Sequence, residues 1–193
     1  MVQIGIVDNY DSFTYNLVHY LEDLTGEQPL VCMNDQVDWV ALETCTHLVL
    51  SPGPGLPGTS GELMEVIKRF YSYKNILGVC LGMQALAEFF GGQLKNLDEV
   101  QHGVQSKIHI QPWDGIILYQ GVPAAIEVGR YHSWVVDKEK LPGCLQPTAT
   151  DERGELMSMQ HTSLPIYAVQ YHPESIMTGW GKTILKNWLS NSY

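Results

Sequence analysis

Basic residues are scarce: the 193-residue chain has 11 Lys and Arg against 21 Asp and Glu, a formal net charge of -10. Nucleic-acid binding needs clustered cations to neutralise phosphates, and the few present are scattered, which argues against that class of partner. Cysteine is sparse as well. Cys32, Cys45, Cys80 and Cys144 form no CxxC pair, so neither a zinc site nor a disulfide framework is favoured and reduced thiols are expected. Long apolar runs are missing, and no stretch approaches the length that spans a bilayer. Membrane insertion is therefore not expected. No basic segment or signal core stands ahead of the strand-like "VQIGIV" that follows Met1, and the chain reads as cytoplasmic. Repeats, linkers and low-complexity tracts are also lacking. A single domain, 1–193, suits this length and can bury a core without staples.

What the chain does have is alternation. "VQIGIV" is followed by a stretch from Ser12 to Leu24 with apolar residues at Phe13, Leu17, Tyr20, Leu21 and Leu24, a helical period closed by Gly26. "PLVCM", "HLVLS" and "NILGV" read as buried strands, with helical candidates at Val37 to Leu42 and Gly61 to Tyr73 between them. The implied fold class is α/β, with a mostly parallel central sheet flanked by helices. After Gly92 the texture changes to β-rich pieces, "SKIHI", "GIILY", "AIEVGRY" and "IYAVQY", and a closing helix runs from Gly179 to Leu189. This smaller β-rich second half is expected to extend the same sheet.

Two motifs mislead. "GPGLPG" (Gly53 to Gly58) matches the GxGxxG dinucleotide fingerprint in form, but that loop works through backbone N–H groups, and Pro54 and Pro57 have none. "GWGKT" suggests a phosphate loop, yet the first glycine of GxxxxGK[ST] would fall on Ile176.

"ILGVCLGMQAL" (Ile76 to Leu86) sets a cysteine between two glycines where a strand gives way to a helix. Gly78-Val79-Cys80-Leu81-Gly82 has the form of a nucleophile elbow with thiol in place of hydroxyl. Its glycines allow a tight turn, a helix beginning near Met83 would aim its positive end at the sulfur and favour the thiolate, and the Leu81 N–H is left to stabilise an oxyanion. Taken alone, the pattern is better read as a structural cysteine in a glycine-rich turn, because five-residue patterns of this kind arise by chance. A base changes the balance: "QYHPES" places His172 and Glu174 two apart after an apolar strand, a spacing that in extended chain turns both to one face. Cys80, His172 and Glu174 then form a coherent nucleophilic triad. His102 and His132 lack a nearby carboxylate and are given structural or pocket-lining roles. Packing accounts for Cys32, Cys45 and Cys144.

In order along the chain, "DNYDSFTYNL", "SPGPG", "GVCLGMQ", "HGVQSK", "GRYHSW" and "QYHPES" resemble the class I glutamine amidotransferases, in particular component II of anthranilate synthase and aminodeoxychorismate synthase. The resemblance implies a flavodoxin-like architecture, Cys80 as nucleophile, His172 as acid/base and Glu174 as its orienting partner. It also implies a glutamine pocket made by the backbone at Gly53 and Gly55, the Gln84 side chain and the backbone at Ser133 and Trp134, with Gly53 and Leu81 as oxyanion donors. L-glutamine would be the substrate, and ammonia would pass to a separate chorismate-binding synthase subunit, component I. No cofactor or metal is implied in this chain; Mg2+ would belong to the partner. Met83 stands where many relatives have histidine, and "LPGTSG" replaces a more acidic loop. A stand-alone thiol hydrolase and a non-catalytic or redox-sensing subunit of the same fold are the alternatives. The sequence leaves open whether the product is anthranilate, 4-amino-4-deoxychorismate or both.

Overall fold

A computed structural model describes residues 2–190. Its described strands form one nine-stranded sheet, ordered β2-β1-β3-β4-β9-β8-β7-β5-β6. Strands β1 (Ile4–Asp8), β2 (Leu30–Met33), β3 (His47–Leu50), β4 (Asn75–Val79) and β9 (Ile166–Val169) run parallel. The remaining strands, β5 (Leu94–Ile110), β6 (Ala125–Val136), β7 (Leu145–Asp151) and β8 (Leu156–His161), continue the sheet in antiparallel pairs. The second half thus extends the first sheet, but at full size: four antiparallel pairings stand beside four parallel ones among the described residues.

Strands β1, β3 and β4 are buried along their whole length, as parallel strands covered on both faces must be. Alternate residues feed two cores. Ile4, Ile6, Val49, Leu77 and Val79 face α1 (Thr14–Thr25) and α5 (Gly181–Ser190), which supply Leu17, Leu21, Ile184, Leu185 and Trp188. Val7, Leu48, Leu50 and Ile76 face α2 (Trp39–Thr44), α3 (Leu63–Phe70) and α4 (Leu81–Phe89), which supply Leu42, Leu63, Ile67, Phe70, Leu81 and Leu86. Gly26 closes α1 in the left-handed region, at φ 75°, with its N–H on the Glu22 carbonyl at 2.7 Å. In an open α/β sheet of this order, ligands collect beyond the carboxyl ends of the parallel strands.

Three local expectations change. "GIILY" is not a strand: Gln111 to Ala124 makes turns, from which Ile116, Leu118 and Tyr119 reach into the core. Asn187 of α5 satisfies the freed backbone there, its Nδ2 donating to the carbonyls of Leu118 and Gln120 at 2.9 Å each. Strands β7 and β8 have no counterpart in the sequence pattern, because Pro147 interrupts the β7 run; the ladder accommodates it with a register shift between Pro147 and Ala149. Finally, α4 begins at Leu81, so the helix starts directly after the cysteine.

Candidate active site

The elbow follows from close packing around β4. A Cβ on Gly78 would lie 2.6 Å from the Gly82 carbonyl carbon, and one on Gly82 would collide with the Leu50 carbonyl oxygen. Both positions therefore exclude any larger residue, not through unusual backbone angles but through contact with neighbouring backbone. The strain falls on Cys80 itself, at φ 53° and ψ -102°, a region that residues with a Cβ seldom adopt. The surrounding sheet enforces it: the Cys80 N–H donates to the Val169 carbonyl of β9 at 2.8 Å. Leu81 is the first helical residue, whose N–H has no carbonyl behind it in the helix.

His172 lies beyond β9, where its N–H bonds the Gly129 carbonyl of β6 at 3.0 Å. The segment after it is a turn, closed by Ser175 N–H on the His172 carbonyl at 3.2 Å, and not the extended chain that the two-residue spacing suggests. The turn brings the side chains together all the same: His172 Nδ1 donates to Glu174 Oε1 at 2.7 Å, and both are buried. Burial by itself would push the imidazole pKa down, but the Cys80 side chain and the Glu174 carboxylate outweigh it and raise the pKa to about 10. The ring is then cationic at neutral pH. Its Nε2 is buried without a hydrogen bond in the structure, although Cys80 is close enough to favour the protonated form. Phe13 and Tyr131 flank the ring edge-on, with centroids at 5.3 and 4.9 Å, and this aromatic wall shields the pair from water.

A cleft of about 190 Å³ opens onto Cys80 and is lined by Gly53, Gly55, Gln84, Ser133 and Trp134 as well. Six of the residues named from sequence therefore share one cavity wall. Leu81, His172 and Glu174 are buried outside that lining. His102 and His132 line the cleft too. A larger cleft, about 770 Å³, lies along β5 and β6 and includes no histidine or cysteine. Gly53 sits against Asn9, whose Cβ and carbonyl oxygen would each be 2.5 Å from an added Cβ. Asn9 in turn clamps the loop, its N–H on Ser51 Oγ at 2.8 Å and its Nδ2 on the Ser51 carbonyl at 2.9 Å. This gives "DNYDSF" a role beside the site, through Asn9 and Phe13.

Two features escape a reading of the sequence. Gln170, fully buried, donates from Nε2 to Cys80 Sγ at 3.5 Å and accepts from Gln84 Nε2 at 3.3 Å. Its signal is a polar residue closing an apolar strand, two positions before His172. The second is a buried ion pair, Arg130 Nη1 to Asp151 Oδ2 at 2.7 Å. Arg130 Nε also donates to His132 Nε2 at 3.1 Å, and His132 Nδ1 donates to the Trp134 carbonyl at 3.1 Å. Burial, and then the Arg130 charge, hold the His132 pKa down to about 3, so this ring is neutral. Among the described residues no cluster of three or more His, Cys, Asp or Glu is placed to hold a metal ion, and no helix is long and apolar enough to cross a membrane.

Comparison with known proteins identifies the relatives of this arrangement. The family model for glutamine amidotransferase class-I matches residues 5–192. The aminodeoxychorismate/anthranilate synthase component 2 of Bacillus subtilis is 43% identical over 188 residues, covering 96% of this chain and 95% of the relative. The anthranilate synthase component 2 of Pseudomonas aeruginosa is 40% identical over 191 residues, covering 95% and 93%. A solved structure from Thermoplasma acidophilum, provisionally described as one subunit of a GMP synthase, superimposes with a TM-score of 0.86 at 27% identity, covering 98% of this chain and 93% of that one.

Proposed function

The chain belongs to the class I glutamine amidotransferases, and on that premise we propose that it is the glutaminase subunit of a chorismate-aminating synthase, with residues 1–193 as one catalytic domain. The observation that carries the reading is the strained Cys80 elbow set against a buried His172 whose Nδ1 donates to the Glu174 carboxylate at 2.7 Å. A cationic imidazole beside the sulfur favours the thiolate.

In the proposed reaction the Cys80 thiolate attacks the side-chain carbonyl carbon of L-glutamine, bound in the cleft by Gly53, Gly55, Gln84, Ser133 and Trp134. The oxyanion is held by the N–H groups of Leu81 and Gly53. On collapse the C–N bond breaks, His172 gives its proton to the departing amine, and ammonia leaves. His172, now neutral, takes a proton from water, whose oxygen displaces Cys80 from the glutamyl thioester and releases glutamate. Glu174 keeps the ring oriented and stabilises its charge. We assign no cofactor to this chain, since amide hydrolysis by a thiolate needs neither redox chemistry nor a Lewis acid; Mg2+ is assigned to the partner. The relatives' component 2 names support a separate component I as receiver of the ammonia.

The test is Cys80→Ser, assayed with component I. Glutamine-dependent product should vanish while ammonium-dependent product persists. Glutamine turnover close to that of the unaltered protein would overturn the assignment.

A further inference from the structure

The reaction as proposed leaves Gln170 without a task, although it is the side chain that donates a hydrogen bond to the nucleophile's sulfur. A fully buried amide needs partners for both ends, and those of Gln170 lie within the site. Which end faces the sulfur is decided by a group that cannot reverse its role. The Trp134 carbonyl oxygen only accepts, so Gln84, 2.9 Å away, must present Nε2 to it. The other hydrogen of Nε2 then points at Gln170, which must answer with Oε1 at 3.3 Å. Gln170 Nε2 is thereby turned onto Cys80 Sγ. Flipping Gln84 would set its carbonyl against the Trp134 carbonyl, and flipping Gln170 would set its N–H donors against those of Gln84. From the opposite side, Arg130 has donors and no acceptor, so His132 receives at Nε2 and gives its Nδ1–H to the same Trp134 oxygen. The Trp134 carbonyl is thus fixed between two donors, and Asp151 anchors Arg130.

We propose that Gln170 is a catalytic residue: its Nε2–H, aimed by Gln84 and the Trp134 carbonyl, bonds the Cys80 sulfur and stabilises the thiolate before glutamine arrives. The proposal rests on the reading of Cys80 as nucleophile. It gives the sulfur a neutral hydrogen-bond donor, Gln170, in addition to the charge of the neighbouring His172, and ties that donor to a wall of the glutamine cleft, since Gln84 and Trp134 both line it. The charged groups coupled to this spot are His172 with Glu174 behind it, whereas His132 is neutral and Gln170 does not titrate.

Alkylation of Cys80 by iodoacetamide, followed on the full chain by mass spectrometry from pH 4 to 9.5, separates these roles. Gln170→Met keeps the volume and removes the donor. On the acid limb, where thiolate is the minority form, it should react about tenfold more slowly than the unaltered protein, the effect of one hydrogen bond to a charged group. The two should converge on the alkaline plateau. Gln84→Met, which frees the Gln170 amide to turn, should show the same pattern at smaller amplitude, and it carries the test if Gln170→Met does not fold. With glutamine and component I, Gln170→Met should lower kcat about tenfold with little change in KM. Profiles that superimpose, or a slowing equal at every pH, would reduce Gln170 to a packing role and overturn the proposal. Should Cys80 in the unaltered protein react no faster than the half-buried Cys144, the nucleophile reading itself fails, a distinct result.

Discussion

Acidification from pH 7 to 5 tests the hydrogen-bond polarity around Trp134 through His132. Burial and the Arg130 charge, opposed by the bond to the Trp134 carbonyl, bring this imidazole from the ordinary 6.5 to about 3. In the unfolded chain the ring titrates near 6.5. Above that pH neither state binds the proton, and the neutral ring costs nothing. Below it the unfolded chain takes up a proton that the folded protein refuses, so stability falls by about 1.4 kcal/mol per pH unit until the folded ring also protonates near pH 3. At pH 5 the loss is about 2 kcal/mol, a sizeable part of a typical total of roughly 5–15 kcal/mol. His132→Gln offers Arg130 an acceptor and the Trp134 carbonyl a donor, and does not titrate. Urea unfolding of both proteins at pH 7 and 5 provides the comparison, in which carboxylates and the other histidines cancel. The unaltered protein should lose about 2 kcal/mol more than the variant, and its Tm should fall by about 4–8 °C more. Equal losses would show that burial and the Arg130 charge do not hold the ring neutral in the folded protein, and would remove one of the two supports for the orientation of the Trp134 carbonyl.

Gly82→Ala drives a methyl into the Leu50 carbonyl, with Leu50 Cβ only 2.8 Å away; it should cost about 3 kcal/mol in urea unfolding and depress glutamine hydrolysis by moving the elbow. Gly58→Ala meets nothing within 4 Å, and should stay within about 0.5 kcal/mol. Asp151→Ala leaves the Arg130 guanidinium buried without its carboxylate and should cost about 3–5 kcal/mol by the same measurement, whereas replacing both members by Met and Leu should recover most of that. A neutral Asp151→Ala would mean that Arg130 finds another counter-charge.

The chain's own order of residues determined whatever is local. Apolar runs at "QIGIV", "HLVL" and "NILGV" mark buried parallel strands because their covered faces leave no room for alternation, and the glycines of "GVCLG" announce a backbone crowded on both sides of a cysteine. His172 and Glu174, two apart, can be paired on paper, though a turn joins them and not the extended chain that their spacing suggests. Beyond that reach, only the tertiary structure decided. Pro147 hides β7 until its neighbours are in place, and "GIILY", strand-like in composition, spends its apolar residues as anchors from a turn. Gln170 meets Cys80 across 90 positions of sequence, and Arg130 meets Asp151 across 21. Phe13 reaches His172 from the start of α1. Periodicity reports which side chains leave water, since burial follows a repeating geometry; it carries no information on which buried donor faces which buried acceptor, because that pairing exists only once the sheet has brought distant strands side by side.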